Sequence, residues 1–180
     1  MRMLVVTIVL ALSGSAHAEP ERSGFLVGLS LGGGGANACR DCLAGGGAAG
    51  ELHLGWWIND RVAVGYEAWV VVGDANQLDT MSAQGLGLVT ATIRVAPRWW
   101  VKGGAGLALY QEAHPLDDQL LMKDSEVELR GFGLGTAAGY ELYQSRGSFV
   151  VEVNGRIGAS MFPDHGGGVS GALGVGVTWN

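Results

Sequence analysis

From Val169 to Trp179 the chain alternates. Val169, Leu173, Val175, Val177 and Trp179 share one parity, broken only by Gly171, while Ser170, Ala172, Gly174, Gly176 and Thr178 hold the other. Period two is the signature of a strand, because successive side chains leave opposite faces. The pattern recurs upstream. Phe149, Val151, Val153, Ile157 and Ala159 oppose Val150, Glu152, Asn154, Arg156 and Ser160. Leu52, Leu54, Trp56 and Ile58 oppose Glu51, His53, Gly55 and Trp57; Val62, Val64, Tyr66, Ala68 and Val70 oppose Gly65, Glu67 and Trp69. Eight segments read this way, at roughly 24–34, 46–58, 61–72, 84–95, 99–110, 126–142, 148–160 and 168–179. None has a sustained helical period. Two registers stay open. In 84–95, Thr90, Thr92 and Arg94 suggest the inward parity. In 126–142, Phe132, Leu134, Ala138 and Tyr140 alternate with glycine, yet Glu126, Glu128 and Arg130 share the apolar parity. Either the strand leaves the apolar layer there, or a glycine bulge shifts the register.

The connections alternate in length. Asn59-Asp60, Ala96 to Arg98 and Tyr143 to Gly147 are short turns. The stretches 35–45, 73–83, 111–125 and 161–167 are longer, and polar or glycine-rich. Together these predict an all-β, eight-stranded, antiparallel up-and-down barrel. Such a barrel exists in two forms. In a soluble one the apolar parity points inward. In a transmembrane one it meets lipid and the mixed parity fills the lumen. Three features favour the second. The charged parity is also the glycine-rich one, a poor solvent face. Trp56, Trp99, Tyr140 and Trp179 lie beside short turns or the chain end, where amphipathic rings belong at a membrane interface. The chain also finishes within a strand.

Composition sharpens this. Hydrophobic residues make up 48% of the 180 residues, and a further 32 residues are glycine. That glycine content, well above the usual ~7%, comes without a triplet period and with abundant apolar residues, so neither collagen nor disorder fits. Arg2, the apolar run Met3 to Leu12, and Ala16-His17-Ala18 have the form of a secretory signal peptide at 1–18, with the barrel domain at 19–180. The two cysteines form Cys39-Arg-Asp-Cys42. Export to an oxidising compartment makes a local loop disulfide the default, with free thiols and half a zinc site as the alternatives. The formal net charge of −6 and the lack of a basic patch argue against nucleic acid.

Short motifs carry a resemblance. Trp100-Val101-Lys102-Gly103-Gly104-Ala105-Gly106-Leu107-Ala108 resembles the aromatic-x-Lys-Gly-Gly-x-Gly mid-barrel strand of the small outer-membrane β-barrel family of the OmpA/OmpX type. Gly131-Phe132-Gly133-Leu134-Gly135 resembles the strand that follows it. The last strand is similar to the signal read by the barrel-assembly machinery, although here Asn180 follows the aromatic Trp179. The resemblance implies a multi-pass barrel in a Gram-negative outer membrane, with lipid and lipopolysaccharide as surroundings. It implies no single activity.

The inward parities converge on one constellation: Glu51, Glu67 and Glu152 with Arg94, Lys102 and Arg156, and His53 beside them. Eight strands enclose a space that side chains can fill, so these charges should pair across the lumen as a plug. For Arg156 the expected partners are Glu51 or Glu67; for Glu152 they are Lys102 or Arg94. The loops are acidic, with Asp41, Asp74, Asp79, Glu112, Asp117, Asp118, Asp124 and Asp164 against Arg40 and Lys123. Their spacing is not that of an EF-hand, so a solvated surface rather than a metal site is expected. Asp164-His165 near Ser160 and Ser170 lacks the spacing of known catalytic motifs. The expectation is a non-enzymatic, cofactor-free outer-membrane barrel with a structural or surface-interaction role. The alternatives are a narrow channel for ions or small solutes, and a soluble exported ligand-binding barrel.

Overall fold

A computed structural model describes residues 22–37, 39, 42, 44–74, 81–113, 127–145 and 149–179. The segment read as a signal peptide, and the loop residues Arg40, Asp41, Asp79, Asp117, Asp118, Lys123, Asp124 and Glu126, lie outside them. Eight strands follow in order: β1 (Gly24–Asn37), β2 (Gly45–Asn59), β3 (Val62–Asp74), β4 (Met81–Ala96), β5 (Trp99–Ala113), β6 (Val127–Gln144), β7 (Phe149–Phe162) and β8 (Gly166–Trp179). Each pairs antiparallel with its sequence neighbours, and β8 pairs back onto β1, so the sheet closes. Closure removes the sheet edges that an open β-structure must protect.

The apolar parity faces outward. Leu31, Val89, Leu107 and Leu173 are 70–76% exposed. A soluble barrel would turn this face inward; here it forms a belt around the outside. On β5 the outward face is apolar or glycine from Trp99 to Leu109. At about 3.3 Å per residue and a tilt of about 40°, that stretch rises about 25 Å, the height of a bacterial barrel's apolar band. The belt ends in aromatic rings at the end that carries the short turns. Trp99 packs on Tyr140 with centroids 4.9 Å apart, and Phe149 on Trp179 at 5.5 Å. Phe25 and Trp56 are registered across β1 and β2.

The strand at 84–95 resolves with Thr90 and Arg94 buried inward and Val89, Ile93 and Val95 outward. In β6 the ladder with β5 runs unbroken from Glu128 to Tyr140, so no glycine bulge occurs. Glu128 and Arg130 stay on the outward parity and pair with each other at 2.7 Å, exposed. The strand has left the apolar belt. The register shift lies instead at the short-turn end, between Glu141 and Tyr143. Its effect is to keep Glu141 inside while Leu142 and Tyr143 both stay outside.

Several strands run past their expected ends. The loop expected over 35–45 starts later, for Gly35 registers with Gly46 and Ala36 with Gly45, extending the β1–β2 ladder. The connection expected over 161–167 shrinks to the turn Pro163-Asp164-His165. Asp164 (φ 65°) and Gly166 (φ 75°) take left-handed conformations there, which lets β7 reverse into β8 within three residues.

Candidate functional site

The lumen holds the charged residues, in stacked layers. At the short-turn end Arg22, from the segment before β1, donates to Glu141 Oε2 at 2.7 Å. Its guanidinium lies 5.3 Å from the Trp57 ring centroid. Arg94 approaches the same carboxylate oxygen at 3.8 Å and donates to the Pro97 carbonyl. Leu26, Trp57 and Ala63 seal the layer with apolar surface.

Above it, Trp100 Nε1 donates to Glu152 Oε2 at 2.9 Å. His53 Nδ1 lies 3.1 Å from Glu51 Oε1, and its Nε2 lies 3.5 Å from Thr178 Oγ1. A cavity of about 40 Å³ separates this layer from the Arg22–Glu141 pair. One water needs about 10–15 Å³ of such space, so the cavity has room for about three waters.

The middle layer is a neutral quartet. Lys102 Nζ reaches Glu51 Oε1 at 3.0 Å and Glu67 Oε2 at 2.7 Å. Arg156 reaches Glu67 Oε1 at 3.1 Å through Nη1, and Glu51 Oε2 through Nη2. Arg156 also donates to Asn154 Oδ1 at 3.0 Å, and Asn154 in turn donates to Ser30 Oγ at 3.2 Å. Toward the loop end Trp69, Val71, Leu86, Leu88, Tyr110 and Phe162 form one apolar cluster, beside which Gln84 donates to Ser160 Oγ at 2.9 Å.

Glycine on the inner parity makes room for these large groups. A Cβ at Gly139 would clash with the Trp100 ring, and one at Gly158 would meet the Trp69 ring at 2.7 Å. This is why the charged parity is also the glycine-rich one.

The seven lumen residues read from sequence do not form one cluster. Glu51, Glu67, Lys102 and Arg156 meet in the quartet, with His53 touching its edge. Glu152 accepts a hydrogen bond from Trp100, not from Lys102 or Arg94, the partners expected. Arg94 lies in the lower layer with Glu141. Sequence reading passed over Arg22, Glu141 and Trp100. Glu141 shares the odd parity of Gly131 to Gly139, and Arg22 the even parity of Leu26 and Ser30, so both were signalled. With them, among the described residues, four buried acids (Glu51, Glu67, Glu141, Glu152) balance four buried bases (Arg22, Arg94, Lys102, Arg156). Balance matters, because an unpaired buried charge costs several kcal/mol.

Of the aromatics placed at the interface, Trp56, Trp99 and Trp179 are exposed outside the barrel, and Tyr140 is partly covered by Trp99. Cys39 and Cys42 form a disulfide, with Cα atoms 4.9 Å apart. Its setting departs from the exposed loop the sequence suggested. Cys39 is 1% exposed and joins the cluster of Trp69, Tyr110 and Phe162 at the loop end. Small apolar sulfur fills the mouth of the lumen there. Replacing both cysteines by Ala should therefore lower the unfolding free energy by about 1–2 kcal/mol, from a short closed ring plus lost burial. Urea titration of the folded barrel in detergent measures it, and an unchanged midpoint would place the sulfurs in solvent.

Among the described residues no three His, Cys, Asp or Glu side chains converge on a metal-sized site. Ser160 and Ser170 are buried in the lumen, whereas Asp164 is exposed in the turn, so these groups do not assemble as a catalytic set.

No protein-family model matches the sequence, and no curated protein matches it. Solved structures do. Neisserial surface protein A aligns with a TM-score of 0.61 at 16% identity, over 87% of this chain and 97% of that one. Ail, the attachment invasion locus protein of Yersinia pestis, aligns at 0.60 and 13% identity, over 88% of this chain and all of that one. Ail in complex with the heparin analogue sucrose octasulfate aligns at 0.51 and 14% identity. At these identities the likeness is one of fold: the chain has the closed eight-stranded architecture of small outer-membrane barrels.

Proposed function

We propose that this chain is a non-enzymatic outer-membrane barrel that serves as a sealed, rigid scaffold for surface contacts, and does not conduct. The observation that carries this is the filled lumen: buried ion pairs in two layers with Glu152 between them, bounded by Trp57 at one end and by Trp69, Tyr110, Phe162 and Cys39 at the other. The chain is exported by its N-terminal segment and inserted by the barrel-assembly machinery, which reads the final strand. The apolar belt lies in outer-membrane lipid, and the loop end faces outward beside lipopolysaccharide. Neisserial surface protein A and Ail are surface and attachment proteins by name, which supports the same role here. The loop sequences are acidic, with Asp117, Asp118 and Asp124 against Lys123, so a sulfated polyanion is a poor ligand for this surface.

Refolded barrel in planar bilayers should show no stepwise current under applied voltage. Regular single-channel steps would overturn the sealed reading in favour of a narrow solute conduit.

A further inference from the structure

Among the described residues, Arg22 is the buried base that lies outside the strands. The β1–β2 ladder begins at Gly24↔Trp57 and the β1–β8 ladder at Val27↔Trp179, so neither includes it. Ser23 is exposed, whereas Arg22 is buried. Between Arg22 and the sheet stands Gly24, with a φ of 91° that L side chains rarely adopt. With that kink the chain turns inward, and Arg22 closes the short-turn mouth over the chamber of about 40 Å³.

The cleft that receives it suits a guanidinium. Glu141 Oε2 accepts its hydrogen bond at 2.7 Å, and the Trp57 ring, 5.3 Å away, offers a flat face to the planar cation. Arg94 stands 3.8 Å from the same carboxylate oxygen, so this layer holds two bases and one acid. The matching negative charge is Glu152, which lines the other side of the chamber with His53 and Thr178. Without Arg22, Arg94 and Glu141 neutralise each other and the charge on Glu152 loses its balance. The emptied cleft would then attract a cation.

We infer that Glu141 and Trp57 form a guanidinium-binding cleft filled by the chain's own Arg22, and that residues 22–24 are a releasable latch on the short-turn mouth of the lumen. This rests on the sealed lumen proposed above. An arginine held by side-chain contacts rather than by a ladder can leave without unpairing any strand. The latch controls the chamber and not the whole lumen, because the quartet of Glu51, Glu67, Lys102 and Arg156 closes the path beyond it.

The test places a thiol in the chamber. Thr178→Cys lines it, and Cys39 and Cys42 are already joined, so the new thiol is the one that reacts. The refolded barrel in nanodiscs is labelled with a small cationic methanethiosulfonate and followed by mass spectrometry. With Arg22 in place labelling should be slow. Adding Arg22→Ala should speed it at least about tenfold, the worth of one charge-assisted hydrogen bond. Millimolar guanidinium chloride should slow the Arg22→Ala barrel again, and the same concentration of sodium chloride should not. Denaturation would act in the opposite direction, and heat-modifiable gel migration checks that each variant folds. Gly24→Ala should also speed labelling with Arg22 unchanged. A Cβ there meets nothing within 4 Å, so its effect is backbone strain alone. Fast labelling with the latch intact, no gain on losing Arg22, indifference to guanidinium, or a Gly24→Ala barrel as slow as its parent would each overturn the inference. The current measurement decides the sealed lumen separately: a silent barrel that fails the labelling test removes the latch alone.

Discussion

Replacing Arg156 by Met should lower the unfolding free energy by about 3–5 kcal/mol, the range for breaking a buried ion pair from one side. Arg156 bridges Glu51 and Glu67, and Lys102 touches the same two carboxylates. Two acids and two bases form a neutral quartet in a water-poor space. Removing one base leaves two carboxylates facing one ammonium. Adding Glu67→Gln restores neutrality, so the double variant should recover more than half of the loss. Urea unfolding in lipid vesicles, followed by Trp fluorescence, reads both values. A single-variant cost under about 1 kcal/mol would mean that water solvates the stranded charge, and the sealed lumen would then be wrong. Single-channel recording of the same variant tests whether the quartet also blocks current.

The pairing inside that quartet was only half legible in the sequence. Parity placed Glu51, Glu67, Lys102 and Arg156 indoors, because a period of two sorts every residue of a strand to one face or the other. The partners of a lumen charge depend on stagger around the barrel, which no single strand encodes. Arg156 meets Glu51 across 105 positions of sequence. Glu152 lies on the same face of β7, four residues away, and finds Trp100 instead. Strand ends were illegible for another reason. Gly35 and Ala36 resemble a loop until the opposing residues also prove to be glycine, Gly46 and Gly45, when the two can pair closely. The burial of Cys39 against Trp69, Tyr110 and Phe162 is likewise a tertiary matter with no local signature.

Glu128 and Arg130 show how composition and parity can conflict and both be correct. Their parity is that of Phe132 and Leu134, yet their chemistry is that of a water-facing surface. The conflict marks the depth at which β6 passes from the apolar belt into solvent. The unbroken β5–β6 register excludes the bulge that would otherwise explain it.

The belt itself gives the other large effect. Val89 is 70% exposed and registers with Ala105, which in turn registers with Leu134. Ala105 lies near the middle of the outward apolar stretch of β5, so this row sits close to the bilayer midplane. Arg at Val89 should cost about 2–4 kcal/mol, the depth-dependent price of a cation on a lipid-facing strand. Arg at Ile58, equally outward but next to the turn at Asn59, should cost only about 0–1 kcal/mol, because the side chain can reach headgroups and water. Reversible unfolding of the two variants in lipid vesicles measures the difference. The contrast between the sites is the decisive quantity, since both residues are exposed and neither packs in the lumen. In water an exposed Val→Arg or Ile→Arg change is nearly neutral at such a site. Equal, small effects at Val89 and Ile58 would show that the apolar parity meets solvent rather than lipid.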